Sequence, residues 1–219
     1  GAWRNSDNDG DINLSSALTK RLDANWAAGT NQGMLDTGSK ANGATYAVFL
    51  IKNPTSGVVD ILASTSIASP TMPSGYTKKR RIGFIMTDGS GNIRAFFQDG
   101  DYFFWVTPTL DVNSTTLGSS SASFALSVPT GIALIAGFVA YSNSTASNIY
   151  LSSLSGTDMA PSTTAAPLTT LSFSTSPGHA QFYQLLTNTS QQIRARSGLN
   201  NSTLRIVTFF YIDRRGRDD

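Results

Sequence analysis

Residues 80–106 read RRIGFIMTDGSGNIRAFFQDGDYFFWV. Three apolar runs, 80–87, 92–98 and 101–106, are separated by DGSG and by an Asp-Gly pair. Runs this short, rich in Ile, Phe, Tyr and Trp and broken by turn residues, are strands rather than helices. The Asp-Gly pairs at Asp88 and Asp99 predict two hairpins, because tight turns need positive φ. The same grammar extends upstream, where TYAVFLIK (45–52), the turn NPTSG and VVDILAST (58–65) form a further hairpin. Downstream, strands are expected at 123–128, 132–141, 148–154, 168–174, 180–186, 191–196 and 202–213. About a dozen short strands at this spacing imply an all-β fold, a β-sandwich or jelly-roll-like domain.

Composition agrees. Charged residues are 14% of the 219, all 14 acids are aspartate, and Ser, Thr and Gly are abundant, a mixture that favours strands and turns. Zero cysteine excludes disulfide frameworks, thiol nucleophiles and zinc fingers. One histidine excludes a multi-histidine metal site. A net charge of +2 is too balanced for a nucleic-acid-binding surface. No signal-peptide pattern opens the sequence. The apolar stretch 132–141 is about half of what crosses a bilayer, so no membrane insertion is expected.

One segment reads as a helix. In LSSALTKRLDANWAAG, Leu14, Leu18, Leu22 and Trp26 recur every four residues, Lys20, Arg21 and Asp23 point elsewhere, and Gly29 stands at the C-cap. The expected organisation is therefore an N-terminal linker and short helix over 1–40, then a β-sandwich domain over 41–219. The stretch 155–170, SGTDMAPSTTAAPLTT, is a linker or a long sandwich loop. Between Tyr102 and Ile193 the charged side chains are Asp111 and Asp158 alone. So bare a surface is solvated by hydroxyls and amides or covered by other copies of the chain.

Three parts carry a family likeness: LDTG at 35–38, PSGYTKKRRIG at 73–83 and IDRRGR at 212–217. With their flanks they resemble a region of tailed-bacteriophage tail-fibre and related virion appendage proteins. The first hundred residues and the last eight match, the middle only in character. Where such proteins often carry Tyr-His before the first apolar strand, this chain has Tyr46-Ala47. The resemblance implies a bacteriophage virion protein, located on the tail or another extracellular appendage, that serves tail assembly or host adsorption by receptor binding. It implies no catalytic residues, and other virion proteins as partners. Fibre domains of this kind are commonly homotrimers, and the stripe from Leu14 to Trp26 offers one self-association surface. Packing of that stripe on its own domain is the competing reading. The alternatives are a polysaccharide-degrading tail-spike enzyme and a free carbohydrate-binding module.

Candidate sites follow from residue chemistry. NSDNDGDIN places Asn5, Asp7, Asp9 and Asp11 at the first, third, fifth and seventh positions of a calcium loop. Its twelfth position is Ser16, and the bidentate glutamate is missing, so a solvated acidic loop with no cofactor is preferred over calcium. KKRR at 78–81 and RRGR at 214–217 concentrate positive charge, but strand alternation splits the first run between two faces. Ion pairing with aspartates is preferred there over phosphate binding. In AFFQDGDYFFW, aromatics flank a polar turn. A pyranose has an apolar face and a fringe of hydroxyls, so Asp99, Asp101 and Tyr102 are the candidate glycan-binding residues, against the plainer reading of a hydrophobic hairpin. His179 follows Pro-Gly with no G-x-S-x-G elbow. Catalytic residues are therefore expected to be none.

Overall fold

A computed structural model describes residues 1–144, 148–162, 164, 171–172 and 178–215. Among these residues all regular structure is β. Contacts divide the chain into two compact units, one of residues 1–94 with 214–219, the other of residues 95–213. Residues 1–40 thus belong with 41–94, a different division from a linker followed by one domain.

The first unit opens with a hairpin, β1 (Ala2–Arg4) and β2 (Asp11–Asn13). A five-stranded sheet follows, made of β3 (Lys20–Asn25), β4 (Gln32–Leu35), β5 (Thr45–Lys52), β6 (Val59–Ser64) and β7 (Lys78–Met86) in the order β3-β4-β6-β5-β7. Its core gathers Leu22, Met34, Leu35, Tyr46, Val48 and Ala63. The expected N-terminal helix is not there: residues 20–25 are strand β3, paired in parallel with β4. A spacing of four is a multiple of the strand period of two as well as close to one helical turn, so Leu18, Leu22 and Trp26 share a side in either conformation. Period two also turns Lys20 and Ala24 to that side, and burial alternates along β3 accordingly.

The second unit contains β8 (Phe96–Asp99), β9 (Tyr102–Leu117), β10 (Ala122–Ala125), β11 (Ile135–Ser142), β12 (Asn148–Ser152), β13 (Leu171–Ser172), β14 (His179–Leu186), β15 (Gln192–Ser197) and β16 (Ser202–Ile212). They form a sheet β14-β11-β16-β9-β8 and a sheet β10-β15-β12-β13. Of the strand expected over 168–174, residues 171–172 are β13, and 168–170 and 173–174 lie outside the described residues. The same holds for 163 and 165–170 of the linker candidate and for Gly216 and Arg217. The expected Asp99-Gly100 turn is present, with Gly100 at φ 58°. In DGSG the positive φ falls on Gly91 instead, whose N–H donates to Asp88 O.

β16 is the middle strand of its sheet, between β9 and β11, which suits a segment apolar on both sides. Simple alternation would put Phe210 and Ile212 on the side of Leu204, Ile206 and Thr208. A register shift against β9 between Thr208 and Phe210 breaks that alternation. Beyond it Tyr211 turns inward, its ring parallel to the buried Phe103 at 4.9 Å, and Phe210 turns to the other side. A bulge moves every later side chain to the opposite face.

Candidate functional site

The shift on β16 builds the unit's most distinctive surface. Across the outer side of the five-stranded sheet, one row of directly paired residues runs Gln184, Gly137, Phe210, Phe104, Phe97. The next row runs Leu186, Ile135, Ile212, Tyr102, Asp99. Phe104 stacks on Phe97 at 5.0 Å and on Tyr102 at 5.8 Å, with planes within 13°. Phe210 packs against Tyr102, Phe104 and Phe182. Gly137 makes room for it, since a methyl group there would lie 2.3 Å from Phe210 Cζ. Phe97, Tyr102, Leu110, Phe182 and Leu186 nevertheless remain 40% to 56% exposed. A sheet side facing water ordinarily alternates to polar residues; this one does not.

Of the glycan candidates, Asp99 and Tyr102 are direct partners across β8 and β9 and so share this outer side. Asp101 sits in the two-residue turn, where its carbonyl accepts the Asp213 N–H at 2.9 Å. Phe182 and Leu186, about eighty residues away in sequence, join the surface only through strand pairing, a juxtaposition no local pattern reveals.

The acidic loop is organised around its own side chains. Asn5, 2% exposed, accepts the N–H groups of Asp9 and Gly10 through Oδ1 and donates to Asp9 Oδ1. Asp9 also pairs with Lys78, and these hydrogen bonds, that of Lys78 foremost, hold its carboxyl below the ordinary aspartate range. Asp11 pairs with Arg4 at 3.2 Å, and Asp7 is exposed. Among the described residues no group of three or more His, Cys or Asp side chains is placed to hold a metal ion.

The basic run is likewise taken up within its unit. Lys78 meets Asp9, Lys79 donates to Ala68 O, Arg80 donates to Arg215 O, and the Arg81 guanidinium lies 4.6 Å from the Phe84 ring centre. His179 opens β14 in an exposed position.

Sequence reading missed a buried ion pair. Lys20 Nζ lies 3.1 Å from Asp60 Oδ1, both side chains at most 2% exposed. Lys20 also donates to Ala27 O and Gly29 O, and Asp60 accepts from Gly29 N and Ile61 N. Trp26 and Tyr76 cover the pair edge to face, and burial, with the Asp60 charge second, raises the Tyr76 hydroxyl above its usual range. Lys20 and Asp60 are thus held by backbone partners as well as by each other, while Trp26 Nε1 beside them is buried without a hydrogen-bond partner among the described residues; the pair acts as a structural pin. In the second unit, Arg194 and Arg196 both reach Asp158, and Arg194 also donates to Ser153 O and Gly156 O, fastening the segment after β12.

No family model, curated protein or solved structure matches this chain.

Proposed function

We propose that this chain is a structural, non-enzymatic domain of a tailed-phage virion appendage of tail-fibre type, a homotrimer that serves tail assembly and host-surface adsorption. In this reading the two sheets of the second unit pack face to face as a β-sandwich, each burying its apolar side, Phe138 and Ile206 in one and Ile149 and Ile193 in the other. The observation that carries the proposal is the exposed apolar sheet surface in a unit of 119 residues with only three arginines and five aspartates. Such a surface suits a protein that works inside an assembly. The sequence resemblance at 35–38, 73–83 and 212–217 directs that assembly to a virion.

Antibodies raised against the purified chain test it by electron microscopy of the phage that encodes it. Labelling of the tail or another appendage is expected, and particles that carry none of the protein would sink the reading. Release of reducing sugars from host capsule by the purified chain would instead favour the tail-spike enzyme.

A further inference from the structure

We infer that the outer side of the sheet β14-β11-β16-β9-β8 is the surface through which copies of this chain meet. This deepens the assembly reading above, and rests on it, by assigning the contact to one face.

Area is the first argument. At roughly 200 Å² for a whole large apolar side chain, the exposed parts of Phe97, Tyr102, Leu110, Phe182 and Leu186 amount to roughly 500 Å². The partly exposed Phe104, Ile135, Val139, Val207 and Ile212 between them extend the patch. Two such faces in contact bury on the order of 1,200 Å², the lower bound of a specific, stable interface. A patch of this size falls in the range of the largest patch on an ordinary monomer, about 300–600 Å², which often marks an interaction site.

Charge selects the occupant. At the outward register positions of the five strands the charged side chains are Asp99, at the β8 edge, and Arg205, which is spent on Asn113 and the Tyr141 ring. One negative and one positive group leave no net field to attract a strongly charged partner. A second copy meets no like-charge repulsion.

Ring orientation separates a protein partner from a sugar. A pyranose stacks on an open aromatic face. Here Phe104 stacks on Phe97 and Tyr102, and Phe210 packs against Tyr102, Phe104 and Phe182, so these rings are engaged with one another.

Light scattering of the full chain over a micromolar concentration series tests this, comparing wild type with Phe97→Lys, Phe182→Lys and Leu199→Lys. Leu199 is equally exposed but lies in the turn between β15 and β16, away from the face. Wild type should show a threefold mass, each face variant at least tenfold weaker association, and Leu199→Lys no change. If wild type is oligomeric and both face variants retain its mass, the face assignment falls while the assembly reading stands. If wild type has the mass of one chain throughout, both fall. Oxidative footprinting of the unmodified chain provides a check without variants. Protection of Phe97 and Phe182 that grows with protein concentration supports the inference. Reactivity that is independent of concentration, or that drops only when host glycan is added, overturns it.

Discussion

The two units of this chain spend their charges differently. The first carries thirteen Lys and Arg and nine Asp, the second three Arg and five Asp in a longer segment. In the first unit charges fasten segments to one another: Asp9 to Lys78 ties the N-terminal hairpin to β7, and Lys20 to Asp60 ties β3 to β6. In the second, Arg194 and Asp111 are turned onto their own unit, to Ser153 O, Gly156 O and Ser127, and one sheet side is left apolar. One unit is finished as a solvated surface; the other keeps a side whose cost in water is removed only by covering it. The segments on which the proposed virion reading rests, 35–38, 73–83 and most of 212–217, fall in the first unit, whereas the apolar surface belongs to the second.

The comparison breaks most visibly if β16 is removed. Deleting residues 202–219 takes the strand between β9 and β11 and strips cover from Phe103, Val112 and Phe138, all at most 4% exposed. The expected product is insoluble. A soluble truncation with an unchanged melting temperature would show that the second unit is not held by its middle strand.

Next in size is the ionic pin of the first unit. Asp60→Ala leaves Lys20 charged and buried without its partner, a loss of about 3–5 kcal/mol. It also orphans the N–H groups of Gly29 and Ile61. Replacing both partners, Lys20→Met with Asp60→Leu, should recover the part of the loss due to the unpaired buried charge, but not the part due to the orphaned N–H groups of Gly29 and Ile61. Urea unfolding followed through tryptophan fluorescence, with Trp3 and Trp105 replaced by Phe so that Trp26 alone reports, reads both. A single substitution costing under about 1 kcal/mol would place the pair in effectively exposed surroundings.

Two glycines sharpen the contrast at lower cost. At Gly33 a methyl group would lie 2.1 Å from Asn25 O and 2.5 Å from Ala24 O, backbone atoms held by the irregular pairing of β3 and β4. At Gly137 it would meet the Phe210 ring, which rotates or shifts toward solvent more readily than a backbone moves. Gly33→Ala should therefore cost about 3 kcal/mol and Gly137→Ala about 1–2 kcal/mol. Calorimetry checks the order. Equal costs would mean that Phe210 is as fixed as a strand backbone.

The all-β class was legible because turn residues punctuate the chain at strand spacing, and β16 was recognisable as central because both its sides are apolar. The helix over 14–26 was misread because four-residue spacing fits both periods, and Lys20 offers no local sign that a lysine is to be buried. Its partner Asp60 lies forty residues on, and the strand is held by its pairing with β4. The outer aromatic rows were half legible: Phe97, Tyr102 and Phe104 stand together in the sequence. Phe210 reaches them through a bulge and Phe182 through strand order, neither of which is written locally.

The smallest expected effects are in titration, and they have opposite signs in the two units. Asp9 in the folded chain titrates below its ordinary value because Lys78 and Asn5 hydrogen-bond its carboxylate. A lowered folded value means that the unfolded chain binds the proton more tightly. The contribution of Asp9 is therefore complete above the unfolded value of about 3.9 and is lost as pH falls through the lower, folded one. Its side chain is 54% exposed, so salt should reduce it. Tyr183 in the second unit is pushed up to about 12 by burial. Its contribution is complete below the unfolded value of about 10 and is lost as pH rises toward the folded one. Carbon-detected NMR titration of the aspartates and ultraviolet titration of the tyrosines measure the two groups directly. Lys78→Met should move Asp9 back toward about 3.9 and leave Tyr183 where it is. Should Asp9 already titrate at that ordinary value in the unmodified chain, the hairpin of the first unit is not tied by this pair, and the electrostatic contrast between the units narrows to Lys20 and Asp60.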